Sequence, residues 1–210
     1  MSVRSLLSAL LLSAAPVLAG DLSLQGLYAQ PKNSDLFSDG IGAEVQWRSW
    51  YTETMAFALS AGGMMYGAND DEYIRTGSGG AAGAQASGEV SVIPLGASVI
   101  FRSPTPEGIT THLELGLRYL LVDSGIDLAR VGVDAGGQAH ADLATLEFND
   151  AVTGLGRVEF SHPVGESTSL VGGVGYQIDL VKSDISYLGS RAGEAEWAGV
   201  YFSAGVHIAW

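Results

Sequence analysis

The end of the chain alternates. Val200, Phe202, Ala204, Val206, Ile208 and Trp210 are apolar, and Tyr201, Ser203, Gly205, His207 and Ala209 stand between them. Successive side chains of a strand point to opposite sides, so a period of two marks a strand whose faces meet different surroundings. The pattern recurs over residues 109–122, where Leu113, Leu115, Leu117, Tyr119 and Leu121 oppose His112, Glu114, Gly116 and Arg118. Residues 40–49 set Ile41, Ala43, Val45 and Trp47 against Glu44, Gln46 and Arg48. Residues 54–66 set Met55, Phe57, Leu59, Ala61 and Met65 against alanines, Ser60 and Gly62. Four further segments alternate less cleanly: 22–30, 89–101, 145–160 and 169–181. In the second of these Val90, Val92 and Pro94 share the face opposite Ile93 and Leu95, and Pro94, lacking an N–H, predicts a bulge or local break. In the third, Leu146, Phe148, Val152, Val158 and Phe160 oppose Arg157 and Glu159, and in the fourth Leu170, Val174, Tyr176, Ile178 and Leu180 oppose Gln177 and Asp179.

Eight strands result, and the connections between them alternate in length. Residues 31–39, 67–88, 123–144 and 182–196 form the long ones, and residues 50–53, 102–108 and 161–168 the short ones. That rhythm predicts an all-β fold, an eight-stranded antiparallel up-and-down transmembrane β-barrel with short periplasmic turns and long outer loops. An even strand count puts both ends of the barrel on the periplasmic side.

A soluble barrel also alternates, with its apolar face inward. The leucine face of residues 113–121 and the final strand carry no charge over a length that crosses a bilayer. The opposite face is rich in Gly, Ala and Ser, as a narrow interior requires. The apolar face is therefore expected to meet lipid, and Glu44, Arg48, Glu114, Arg118, Arg157, Glu159 and Asp179 to form an ionic network in the lumen. Unpaired charge in a low-dielectric interior is expensive, so near balance is expected. Aromatic residues close the apolar face at both ends: Trp47, Phe101, Phe160 and Trp210 toward the periplasm, Tyr28, Tyr119 and Phe148 toward the outside. Two such girdles mark the two headgroup levels.

Composition narrows the picture. Arg4, an apolar stretch at residues 6–18 and the small residues of Val17-Leu18-Ala19 read as a secretory signal peptide over 1–19, leaving 20–210 as one barrel domain. The stretch is too short to span roughly 30 Å of hydrocarbon as a helix. Ten Lys and Arg against 23 Asp and Glu give a formal charge of −13, which excludes a nucleic-acid binder. The absence of cysteine removes disulfides, thiolate metal sites and a lipoprotein anchor.

On the signal peptide, the strand count, the loop asymmetry and the terminal Val206-His207-Ile208-Ala209-Trp210, the chain resembles the small eight-stranded outer-membrane barrels of the OmpA/OmpX-like and opacity-protein group. The likeness is one of pattern over nearly the whole of 20–210. It implies a site in the outer membrane of a diderm bacterium, among outer-membrane lipid and lipopolysaccharide, as a monomer. It also implies that Val206, Ile208 and Trp210 are read by the barrel-assembly machinery, periplasmic chaperones assisting. In that family a terminal Phe is commoner than Trp.

The expected role is structural or surface-interactive, with acidic loops above a side-chain-filled lumen and no cofactor. A small gated channel for solutes or apolar molecules is one alternative, and a soluble periplasmic ligand-binding barrel another. A lipid A-modifying enzyme is a third. For it, Asp123-Ser124 at a strand end and His140 in the next loop are the only candidates, and none of the four His has Ser two residues on. The run Asn69-Asp70-Asp71-Glu72 lacks the spacing and turn glycine of a calcium loop and reads as a solvated charge run.

Overall fold

The computed structural model describes residues 20–32, 37–68, 83–104, 108–133 and 139–210. The segment 1–19 read as a signal peptide and the acidic run 69–72 lie outside the described residues.

Eight strands close into a barrel: β1 (Asp21–Pro31), β2 (Phe37–Trp50), β3 (Met55–Ala68), β5 (Glu89–Pro104), β6 (Thr110–Ser124), β10 (Ala151–Pro163), β11 (Thr168–Val181) and β14 (Gly199–Ala209). Each pairs antiparallel with its neighbours, and β1 meets β14 from Asp21↔Ala209 to Pro31↔Gly199, so no edge is left open. Closure is what a sheet in hydrocarbon requires, because an unpaired backbone group there finds no water.

The period of two decides the wall. Leu113, Leu115, Leu117, Leu170, Ile178, Phe202 and Ile208 are exposed on the outside, while Glu44, Arg48, Glu114, Arg118, Arg157 and Glu159 are buried inside. An exposed apolar belt around a charged interior inverts a soluble barrel and fits lipid on the outside. Arginine at Leu117, midway along β6 and 57 % exposed, is expected to lower folding stability by about 2–4 kcal/mol. The same change at Tyr51, in the short turn after β2, is expected to be nearly neutral. Urea titration in lipid vesicles, read by heat-modifiable gel migration, checks both, and a Leu117→Arg protein as stable as its parent would contradict the lipid-facing assignment.

Of three expectations for the strands and connections, two need correction and one is narrowed. First, residues 145–160 are not one strand. β9 (Glu147–Phe148) belongs to a different sheet from β10, and Asn149 and Asp150 between them reset the phase. Leu146 and Phe148 consequently point into the molecule, so Phe148 is not a girdle residue. Second, of the bulge or local break expected at Pro94, the structure has the break: the β3–β5 ladder is interrupted there without a bulge. Ala61↔Leu95 and Met64↔Val92 keep one register across two unpaired positions, and on the other side Pro94↔Leu120 stays in register. The missing N–H removes hydrogen bonding and leaves the alignment intact. Third, the long connections are structured. β4 (Gly83–Ser87), β7 (Asp127–Val133) and β8 (Ala139–Thr145) form one three-stranded sheet, and β9, β12 (Ser183–Tyr187) and β13 (Ser190–Ala195) form another. The sequence of β4 has no apolar alternation, and its pairing is set by the long-range partner β7.

Candidate functional site: a lumen closed at two levels

The interior is built from alternate residues of all eight strands. On β2 they are Glu44, Gln46 and Arg48; on β6, His112, Glu114 and Arg118; on β10, Thr153, Leu155, Arg157 and Glu159; on β1, Ser23 and Gln25. Register brings an acid to a base where Arg157 pairs directly with Glu114, and sets the neutral Gln25 opposite Glu44. The Nε and Nη2 of Arg157 both donate to Oε2 of Glu114, at 2.9 and 2.6 Å, and its Nη1 reaches Oε1 of Glu44 at 3.1 Å. Arg118 donates to the other oxygen of Glu44. Arg48 donates to Oε2 of Glu159 at 2.9 Å, and His112 Nδ1 lies 3.1 Å from Oε1.

Neutral side chains complete the shells. Ser98 Oγ and Gln46 Nε2 donate to Glu114 Oε1 at 2.7 and 2.8 Å, and Gln25 Nε2 donates to Glu159 at 2.7 Å. All six charged groups are 3 % exposed or less, so none can be left to water. Their formal charges cancel, three arginines against three glutamates, which is the condition under which buried ions are tolerable.

Asp179 is not in this network. Its carboxylate accepts the backbone N–H groups of Trp197 at 3.0 and 3.1 Å and of Ala198 at 3.1 Å. It stands near the outer end of β11, beside the chain entering β14, and there it caps backbone rather than pairing with arginine. Removing it from the expected set is what brings the ionic layer into balance.

Above the ions the lumen turns apolar. Leu27, Met64, Tyr66, Val90, Val92, Leu120 and Tyr201 from the wall, with Phe37 at the outer end of β2, meet Leu146, Phe148, Ile185 and Trp197 from the outer connections. Phe37 enters because a register irregularity between Phe37 and Gly40 breaks the phase of β2. Trp197 is the centre: its ring stacks on Phe37 with centroids 4.9 Å apart and meets Tyr66 edge-on at 5.5 Å. Its indole N–H donates to Ser183 Oγ at 2.9 Å, and Gln177 Nε2 donates to its carbonyl at 3.0 Å. None of these plug residues from the connections was identified as interior from the sequence.

At the periplasmic mouth Trp50 donates to Asp21, His207 Nε2 approaches Asp21 Oδ2 to 3.1 Å without the alignment of a hydrogen bond, and the Arg102 guanidinium lies 4.1 Å over the Trp50 ring.

On the outside, Phe101, Phe160 and Trp210 are exposed near the periplasmic ends of their strands, with Trp47 half-buried. Tyr28 and Tyr119 are exposed at the outer ends, where they donate to Asp39 and Asp150. Val206 is half-buried and Ile208 exposed. Ion pairs dress the surface hairpin β12–β13: Arg191 lies 2.7 Å from Asp184 and 2.6 Å from Glu194, and Lys182 lies 2.5 Å from Glu196, whose hydrogen bond raises the ammonium pKa above its usual value. Among the described residues no group of three or more His, Asp and Glu is placed to hold a metal ion.

No protein-family model and no curated protein sequence matches the chain. Solved structures do. Neisserial surface protein A (NspA) is 14 % identical, with 91 % of this chain covering 97 % of that one at a TM-score of 0.53. The outer membrane protein OprG from Pseudomonas aeruginosa is 12 % identical, with 91 % covering 96 % at 0.57. At such identities the likeness is one of fold. With the closed barrel, the apolar belt and the ion-filled interior already established, it shows that this chain has the fold of the small eight-stranded bacterial outer-membrane β-barrels.

Proposed function

We propose that the protein is a non-conducting outer-membrane barrel whose work is structural and surface-interactive: it anchors a folded loop platform at the cell surface. The observation that carries this reading is the double closure of the lumen. A hydrated ion crossing the barrel would have to displace the balanced network around Arg157 and then the aromatic plug around Trp197. The sheets β4–β7–β8 and β9–β12–β13 give the outer connections an architecture of their own, as a surface meant to be recognised needs. Outer-membrane lipid and lipopolysaccharide surround the belt in this reading, and the assembly machinery and chaperones act only during biogenesis. The platform's ligand is a surface or host component.

Planar-bilayer recordings of refolded protein test the closure. No steady conductance is expected, and steady large openings would overturn the reading. Deleting residues 70–88 is expected to abolish surface binding while leaving heat-modifiable migration intact.

A further inference from the structure

At the periplasmic end of the ionic layer stand two imidazoles whose charge its balance leaves out. His112 on β6 and His207 on β14 are 3 % and 8 % exposed, and their rings meet edge-on with centroids 6.4 Å apart. Each ring faces one carboxylate: His112 Nδ1 lies 3.1 Å from Glu159 Oε1, and His207 Nε2 lies 3.1 Å from Asp21 Oδ2. Both carboxylates are already engaged. Glu159 accepts from Arg48 and Gln25, and Asp21 accepts the indole N–H of Trp50. Arg102 on β5 pairs with His112 across the ladder, and its guanidinium lies over the Trp50 ring and donates to the Glu53 carbonyl. The remaining strands bring no titratable group to this end of the interior, for β3 turns Ala56 and Ala58 inward, and β11 Ser169 and Val171.

We propose that His112 and His207 form a proton-operated latch at the periplasmic mouth, closed while the rings are neutral and released when both carry a proton. Charge gives the direction. With neutral rings, Asp21 and Glu159 balance Arg48 and Arg102. With both rings protonated, four positive groups face the same two carboxylates, and two of the four stand 6.4 Å apart where little water reaches to screen them. Imidazole is the side chain that changes charge between about pH 5 and pH 8, so the latch holds at neutral pH and is lost as pH falls through that range. Position gives the consequence. His207 pairs with Ser23, two residues from Asp21, and Asp21 takes the Trp50 indole from β2, so the cluster fastens the periplasmic ends of β14, β1 and β2. Repulsion between the rings frays this seam. The ions around Arg157 and the plug around Trp197 lie farther in and keep the lumen shut, so the latch is independent of conduction.

The test uses the full barrel refolded in lipid nanodiscs, with amide hydrogen exchange read at about pH 7.5 and about pH 5 and each rate corrected for the intrinsic effect of pH. Protection at residues 21–24 and 205–208 is expected to fall about tenfold in acid, while residues 26–29 and 200–203, on the outer halves of the same strands, keep theirs. Glutamine at either histidine keeps a neutral polar side chain and removes the second charge. His112→Gln and His207→Gln are therefore each expected to abolish nearly all of the fall, and one of them suffices where the other does not refold. His162→Gln, at an exposed histidine near the end of β10, is expected to change nothing. Any of four results overturns the latch: equal protection at both pH values; a loss spread evenly along β1 and β14; about half or more of the fall persisting in a glutamine variant, so that the rings act separately or the carboxylates titrate in their place; or a fall removed by His162→Gln.

Discussion

Methionine at Arg157 is expected to lower the folding stability of the barrel by about 3–5 kcal/mol, because it breaks a buried ion pair from one side. Arg157 supplies two donors to Glu114 and one to Glu44, and it reaches Gln25 Oε1 at 3.3 Å. Without it Glu114 keeps only Ser98 and Gln46, neither of them charged, and three glutamates face two arginines in a space closed to water. Volume is nearly preserved by methionine, so the loss reports charge rather than a cavity. The double variant Arg157→Met with Glu114→Gln separates the two causes. It restores the balance at two against two, because Glu44 keeps Arg118 and Glu159 keeps Arg48. It is expected to recover more than half of the loss. Urea midpoints in lipid vesicles give both numbers. If the single variant unfolds at the parental midpoint, or if the double variant is the less stable of the two, the ions are ornament and not the element holding the interior together.

The wall was legible in the sequence because one physical rule writes it. Each barrel strand has lipid on one face and a packed lumen on the other, so the period of two in residues 113–121 or 200–210 maps directly onto the exposed and buried positions. The ionic residues were legible for the same reason. Their pairing was not, since which glutamate meets which arginine depends on register across strands as distant in sequence as Glu44 and Arg157. Asp179 obeyed the alternation and still fell outside the network, because alternation fixes the side and not the height, and at its height the neighbours are backbone N–H groups.

The plug was missed although it leaves a trace. Toward the outside, inward positions become apolar as well: Leu27 and Ala29 on β1, Val90 and Val92 on β5, and Leu120 on β6 are all buried. Strands apolar on both faces at one end, and on one face at the other, need an apolar filling at the first end. What fills it comes from the connections, where Phe148 and Trp197 carry no period and their position follows from long-range packing. Val90 and Val92 looked like exceptions to the alternation; they are the wall of the plug.

Alanine at Trp197 should therefore separate the two closures. The indole contacts Phe37 and Tyr66 and donates to Ser183, so its removal leaves a cavity among rings with few ways to collapse. A loss of about 3–5 kcal/mol is expected for a buried tryptophan. It should fall on the plug rather than on the barrel, because the ladders of β11 and β14 do not depend on the indole, and Asp179 and Gln177 still hold the backbone at residue 197. Hydrogen exchange is the direct reading. Amides of β12 and β13 and of residues 146–148 should exchange much faster than in the parent, while those of residues 113–118 stay protected. Phenylalanine at the same position keeps ring packing without the indole N–H and should fall between. The conductance of the alanine variant then judges the lower layer alone. With the plug loosened, the six ions around Arg157 are the remaining barrier, and the bilayer should stay electrically silent. Steady current through Trp197→Ala would mean that the aromatic cap is the sole seal and that the ionic layer passes ions.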